Sequence, residues 1–392
     1  MSLLALDYVL GDRPMQRRFK ADPMLLATDL LLQERVPKAV AAVFPHAAEA
    51  GASRTETIAD PSDMRLFIDP AGSMPEVNLL SNGRYHVVVT AAGGGFSRWQ
   101  DLAVTRWRED STRDCWGSFC YLRDVESGVF WSTAWQPTQK PSKPYEAIFT
   151  QARAEFRRRD EGIETHTEIA VSPEDDIELR RITITNRSDV VRTIELTSYA
   201  EVVLAQRAHD LAHPAFSNLF VQTEIVRERQ AILCTRRARS TEERPPWMVH
   251  LMTVQGTVVS EPSFETDRMR FLGRTGTVGA PAALQADAEL TDSQGAVLDP
   301  SVSIRQVVRI EPNQSARIDF ITGVAENRDA ATAIMDKYHD SRLSDRVFEL
   351  AWTHSLILLR QLNLSEADAQ IYSRTANSLI YATAQRLSLI HI

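Results

Sequence analysis

From about Thr55 to Ala325 the apolar residues recur with a period of two, in short β-branched and aromatic runs cut by turn residues. Near Asn327 the period lengthens to that of a helix. A strand sends alternate side chains to opposite faces, whereas a helix returns to one face every third or fourth residue. The switch therefore divides the chain into a β part and a helical part. Ile177 to Ile184 ends at Asn186-Arg187-Ser188, and Thr193 to Tyr199 alternates with Ile194, Leu196 and Ser198 on one face. Val249 to Val254, Val302 to Ile310 and Ala316 to Val324 add strands, with Pro312-Asn313 as the turn between the last two. So many strands without intervening helices predict a mainly β fold of two large, stacked antiparallel sheets. The expected sandwich occupies 55–325, after a helical piece at 1–37 and a linker at 38–54.

The helical signals lie at both ends. Leu3, Leu6, Val9 and Leu10 keep helical spacing as far as Gly11, with Pro14 as the break. Met24 to Val36 is a second amphipathic stretch, stopped by Pro37. At the other end Ala330 to Tyr338 reads as helix, and Phe348, Trp352, Ser355, Leu356, Leu359 and Leu362 form an apolar stripe. Ser365 followed by Asp368 predicts a further helix start, a weak capping box. Its stripe runs through Tyr372, Ala376, Leu379, Ile380, Thr383 and Leu387 toward Ile392 with no cap.

Within the β part, Asn78 to Pro137 is the densest stretch. Asn82-Gly83 is a strong hairpin dipeptide, and Gly93-Gly94-Gly95 is free to adopt positive φ. Five of the 7 tryptophans, Trp99, Trp107, Trp116, Trp131 and Trp135, fall here beside Arg84, Arg98, Arg106, Arg108 and Arg113. Flat aromatics next to directed hydrogen-bonding groups suit a sugar, which has apolar ring faces and a rim of hydroxyls. The competing reading is a sandwich core with tryptophans inside and arginines reaching outward. Trp99, Arg106, Trp135 and Gln136 are the candidates for contact with a sugar channel or with a neighbouring domain.

The order of motifs carries more. NLLSNGRY from Asn78, AGGGFSRWQD from Ala92, TRWR from Thr105, FCYLRD from Phe119 and VFWSTAWQP from Val129 follow one another. HPAFSNLF from His213 and FETDRMRFLGR from Phe264 come next. This series resembles the opening sandwich of glycoside hydrolase family 94, formerly glycosyltransferase family 36. That family contains cellobiose phosphorylase and the C-terminal part of cyclic β-1,2-glucan synthase. RPMQRRFKADP from Arg13 and ATDLLLQERVP from Ala27 are similar to the end of the glycoamylase-like module that precedes it in such synthases.

The resemblance implies a two-sheet super-sandwich followed by linker helices and the first helices of an (α/α)6 barrel. It implies an interior piece of a glucan-synthesising enzyme, with Met1 internal and uncovered helix faces at both ends. The partners implied are a β-glucan or oligosaccharide, the barrel and upstream modules of the same polypeptide, and a second copy in a homodimer of the parent. Phosphate or a sugar phosphate would be substrate of the full module, and no cofactor is implied. The parent would be anchored in a bacterial inner membrane by segments outside this chain, with this region on the cytoplasmic side. A truncated oligoglucan phosphorylase and a freestanding carbohydrate-binding sandwich are the alternatives.

Inverting phosphorolysis needs one carboxylic acid to protonate the leaving oxygen, while phosphate is the nucleophile. The family keeps that acid in the barrel, so no catalytic residue is expected here. Asp101, Asp110, Asp114 and Asp124, alternating with Arg106, Arg108, Arg113 and Arg123, read as surface ion pairs. His209, Asp210 and His213 have a spacing that could hold a metal on a helix, but Pro214 favours a loop, and no metal site is expected. Cys115, Cys120 and Cys234 are too few for a disulfide framework and suggest a reducing compartment. A formal net charge of -8 argues against a general nucleic-acid binder.

Overall fold

The computed structural model describes residues 8, 10–22 and 64–382, apart from 73, 111, 239 and 241. The expectations for Leu3 and Leu6, for Met24 to Val36, for the linker and for Thr383 to Ile392 fall outside the described residues. In chain order the first strands are β1 (Arg65–Phe67), β2 (Val77–Ser81), β3 (Tyr85–Thr90), β4 (Gly95–Trp99), β5 (Leu102–Thr105), β6 (Phe119–Asp124) and β7 (Phe130–Ser132). Then come β8 (Tyr145–Phe149), β9 (Ala154–Asp160), β10 (Ile163–Val171), β11 (Ile177–Asn186), β12 (Arg192–Gln206), β13 (Val221–Val226) and β14 (Ala231–Arg236). The last are β15 (Trp247–Gln255), β16 (Thr257–Val258), β17 (Ser263–Asp267), β18 (Gly295–Ala296), β19 (Pro300–Ile310) and β20 (Ser315–Ala325).

They form two ten-stranded sheets in which every pairing is antiparallel. The first sheet has the order β1-β8-β9-β10-β11-β20-β15-β14-β13-β18. The second runs β16-β19-β12-β5-β4-β3-β2, with β17 on β19 and the β6–β7 hairpin on β12. Side chains of both inner faces interdigitate in one core, where Tyr85, Val87, Trp99, Leu122 and Trp131 meet Phe149, Phe156, Ile169, Ile182 and Phe320. The mainly β super-sandwich expected from the period-two pattern is therefore the fold.

Helices follow the last strand: α5 (Arg328–Tyr338), α6 (Ser341–Gln361) and α7 (Glu366–Ile380), numbered after α1 (Pro14–Ala21), α2 (Arg207–Ala212), α3 (Pro214–Asn218) and α4 (Arg268–Leu272). Ala331, Met335, Tyr338, Val347 and Ala351 of α5 and α6 cover the outer face of the first sheet over Leu179, Leu233, Val249, Leu251 and Ile321. This explains why β15 and β20 are apolar at consecutive positions: both faces of those strands are buried. Ser365 and Asp368 form the reciprocal capping box at the start of α7.

Three expectations need correction. The strands are interrupted by α2, α3 and α4, so the β region is not free of helices. The segment from His209 to Phe216 is helical rather than a loop, because Pro214 opens α3 at a position that needs no amide donor. The break expected at Pro14 is present: helical Tyr8 and Leu10 are followed by a turn at 11–13, and Pro14 starts α1. Finally, α7 does not continue through its apolar stripe but ends at Ile380. Tyr381 turns extended, packs its ring edge-on to Trp107, and is followed by an Ala382 amide that donates to Glu109 at 2.6 Å. Tertiary contacts, not a local cap, stop this helix.

Candidate functional site

The glycine run between β3 and β4 is set by close packing. A Cβ on Gly95 would meet Val88 O at 1.9 Å, and one on Gly93 would meet Ala134 Cβ at 2.3 Å, both at positive φ. Only glycine lets this turn lie against the 134–136 segment, where the Gln136 amide donates to Ala92 O at 2.7 Å. On the outer side of that junction opens a cleft of about 510 Å³. Asp69 to Gly72 and Met74 to Glu76 form one wall, and Thr112 to Asp114 with Trp135, Gln136 and Gln139 form the other.

Trp135 is half-buried against the sandwich core, while Gln136 is buried and sends Nε2 toward Arg113 O at 3.4 Å. Glu76 and Asp114 bring carboxyl groups to the same cleft. Asp114 Oδ2 accepts from Thr90 Oγ1 at 2.8 Å, and Oδ1 accepts from Tyr381 Oη at 2.7 Å. Burial raises its carboxyl to about 6, against the pull of the hydrogen bonds from Tyr381 and Thr90. Asn377, one helical turn before Tyr381, accepts from the Val77 amide at 2.9 Å and donates to Glu76. The end of α7 is thus fastened to the cleft wall at two carboxylates.

An open cleft with an indole ring, two glutamine amides, a guanidinium and three carboxyl groups (Asp69, Glu76 and Asp114) has the mixture of apolar surface and directed polar groups found in ligand sites of this size. Trp135 and Gln136 of the four sequence candidates lie in it.

The other two candidates lie elsewhere. Trp99 is buried in the core between the sheets, with Nε1 donating to Asp176 Oδ2 at 2.7 Å. Arg106 is buried at the end of β5's extension, where it meets Glu201 at 2.8 Å, Asp210 at 3.2 Å and Asp299 at 3.3 Å, and donates to Asn218 at 2.6 Å. That network holds α2 and α3 to the sandwich. This network and the buried Arg123 and Asp124 correct the reading of these charges as surface pairs at those positions, whereas Asp101 is exposed and pairs with Arg98 at the surface. Arg106 and Asp114 lie on the segment between β5 and β6 and Asp210 on α2, so tertiary packing sets their placement, which composition does not reveal.

His209 and His213 are exposed while Asp210 turns inward to Arg106, so this trio does not converge. Among the described residues Glu155, His166 and Glu168 do converge. Their carboxylates are already engaged, Glu155 by Arg153 at 3.0 Å and His166 at 2.9 Å, Glu168 by Arg153 at 2.7 Å. This is an ion-pair cluster on neighbouring strands. Glu76 and Tyr381 were not singled out from sequence, and Arg113 was named there only among the charged residues of its stretch. The i, i+4 spacing of Asn377 and Tyr381 marks one helix face, but nothing local says what that face meets. No described helix is long and apolar enough to cross a membrane.

Residues 61–341 match the supersandwich domain of glycosyl hydrolase 94. Over 97% of its length the chain is 33% identical to the cyclic β-(1,2)-glucan synthase NdvB of Rhizobium meliloti (strain 1021), of which it spans 14%. It is 24% identical over 71% of its length to the N,N'-diacetylchitobiose phosphorylase of Vibrio proteolyticus, spanning 34% of that protein. It is also 24% identical over 56% of its length to the solabiose phosphorylase of Paenibacillus borealis, spanning 27% of it. The chain therefore corresponds to a minor part of each of these relatives.

Proposed function

Since the chain belongs to the glycosyl hydrolase 94 family and carries its supersandwich domain, we propose that it is the carbohydrate-binding, non-catalytic sandwich of a larger glucan-active enzyme. The cleft bounded by Trp135, Gln136, Arg113, Asp114 and Glu76 is the observation that supports this reading. In it the Trp135 ring stacks on a sugar face, and the amides and carboxyls engage the hydroxyl rim. The similarity to a cyclic β-(1,2)-glucan synthase over nearly the whole chain favours a β-glucan as the bound polymer. Similarity to two phosphorylases favours phosphate or a sugar phosphate as co-substrate of the complete module.

The chemistry argues that turnover resides outside the cleft. The leaving oxygen of a glycoside needs a proton from an acid free to approach it. Asp114, although burial raises it to about 6, has both oxygens committed to Thr90 and Tyr381. It is placed to hold α7 rather than to deliver a proton. Incubation of the chain with β-glucan and inorganic phosphate tests this: no glucose 1-phosphate above a blank is expected. Release that depends on this chain would overturn the non-catalytic assignment.

A further inference from the structure

Behind Gln136, between the two sheets, lies an interior cavity of about 30 Å³. Thr167, His250 and Thr322 line it from the first sheet, and Ser118 and Ser198 from the side of the second, with Gln136 at the end nearest the cleft. Some of these polar groups satisfy one another. His250 bonds Ser198 Oγ through Nε2 and Thr322 Oγ1 through Nδ1, each at 2.9 Å. Burial pushes His250 down to about 3, so the ring is neutral and needs no counter-charge.

Three oxygens are different. Ser118 Oγ, Thr167 Oγ1 and Gln136 Oε1 are buried and have no protein hydrogen-bond partner. They come from three separate segments and line one void. Buried polar atoms in folded proteins are almost always satisfied, because a hydroxyl or amide stripped of water and left unpaired is destabilising. The void holds about two water molecules by its volume. Its chemistry also selects water. The Arg180 guanidinium in the wall, with no carboxylate lining the void, disfavours a cation. The volume is too small for a polyatomic anion, and an acceptor such as Gln136 Oε1 requires a donor.

We propose that this cavity is an internal hydration site whose ordered waters bridge Ser118, Thr167 and Gln136 between the sheets. A water donating to Gln136 Oε1 fixes the orientation of that amide, so that its Nε2 side stays turned toward Arg113 and the cleft. Gln136 is thereby positioned from behind, in the absence as in the presence of any ligand, and the site does not depend on what the cleft binds.

A crystal structure of the whole chain, with a second data set from xenon-pressurised crystals, tests this directly. Solvent density within hydrogen-bonding distance of Thr167 Oγ1 and Gln136 Oε1, with no xenon there, is expected. A cavity without solvent density, or one that takes up xenon, would overturn the proposal. In solution, oxygen-17 relaxation dispersion of the chain and of Thr167→Val gives a second reading. The variant should lose one or two long-lived waters and melt at a lower temperature. Removing an unpartnered hydroxyl from a dry void would instead raise the melting temperature and leave the water count unchanged, contradicting the proposal.

Discussion

Tyr381 Oη donates a 2.7 Å hydrogen bond to Asp114 Oδ1 across 267 residues of sequence. Tyr381 ends α7, and Asp114 lines the cleft, so this one bond joins the helical part of the chain to the wall of the candidate site. Around it, Val77, Val88 and Ala376 form a small separate cluster with Trp107 and Tyr381.

Removing that hydroxyl leaves the half-buried Asp114 carboxyl with one partner fewer. Tyr381→Phe should destabilise the docked helix by about 1–3 kcal/mol. Hydrogen exchange is the appropriate measure, with faster exchange in 366–380 and unchanged protection in β11 and β20. Uniform acceleration across the sandwich would show that α7 is not a separately docked element.

Asp114 also makes stability depend on pH. Its folded value of about 6 lies above the ordinary 3.8, so between the two the folded chain keeps a proton that the unfolded chain releases. The group's contribution to stability is present below the lower value and is lost as pH rises through about 6, by up to about 3 kcal/mol. In urea titrations Asp114→Asn should therefore gain stability relative to the unaltered chain as pH goes from 4 to 7. A difference that stays flat over that range would refute the assignment.

Two tryptophans separate packing from binding. Trp99→Ala removes a buried ring from the core and should cost on the order of 3–5 kcal/mol. Trp135, half-buried and at the cleft, should cost less when truncated. Denaturation midpoints for the two variants give the comparison, and equal losses would mean that Trp135 is a core residue.

Arg106→Met would strand Asp210 as a buried charge and leave Glu201 with only Arg268 and Tyr199. A loss of about 3–5 kcal/mol is expected, as for one-sided removal of a buried ion pair. Calorimetric melting of Arg106→Met beside Arg106→Lys measures it. The lysine variant should recover only part of the loss, because an ammonium cannot reproduce contacts to Glu201, Asp210 and Asn218 together.

The two sheets were legible because strand periodicity is a local property: the pattern at Ile177 to Ile184 and at Ala316 to Val324 survives as β11 and β20. Hairpin chemistry was equally local, with the Asn82 side chain accepting from the Arg84 and Tyr85 amides at the β2–β3 turn. What the sequence could not reveal depends on partners distant in the chain. Arg106 looks like any strand-edge arginine until Glu201, Asp210 and Asp299 surround it. Trp99 and Trp135 have similar local contexts, yet one faces the other sheet and the other a cleft. The stop of α7 at Ile380 was hidden for the same reason, since Tyr381 is drawn to Trp107 and Asp114.

We propose that the cleft beside Trp135 binds a β-glucan chain. Calorimetric titration of the chain with linear β-1,2-gluco-oligosaccharides, beside the same titration of Trp135→Ala, tests it most directly. Saturable binding by the unaltered chain is expected, with at least about a tenfold weakening in the variant, the equivalent of one lost contact of about 1.4 kcal/mol. No binding by the unaltered chain, or equal affinity in both, would contradict it.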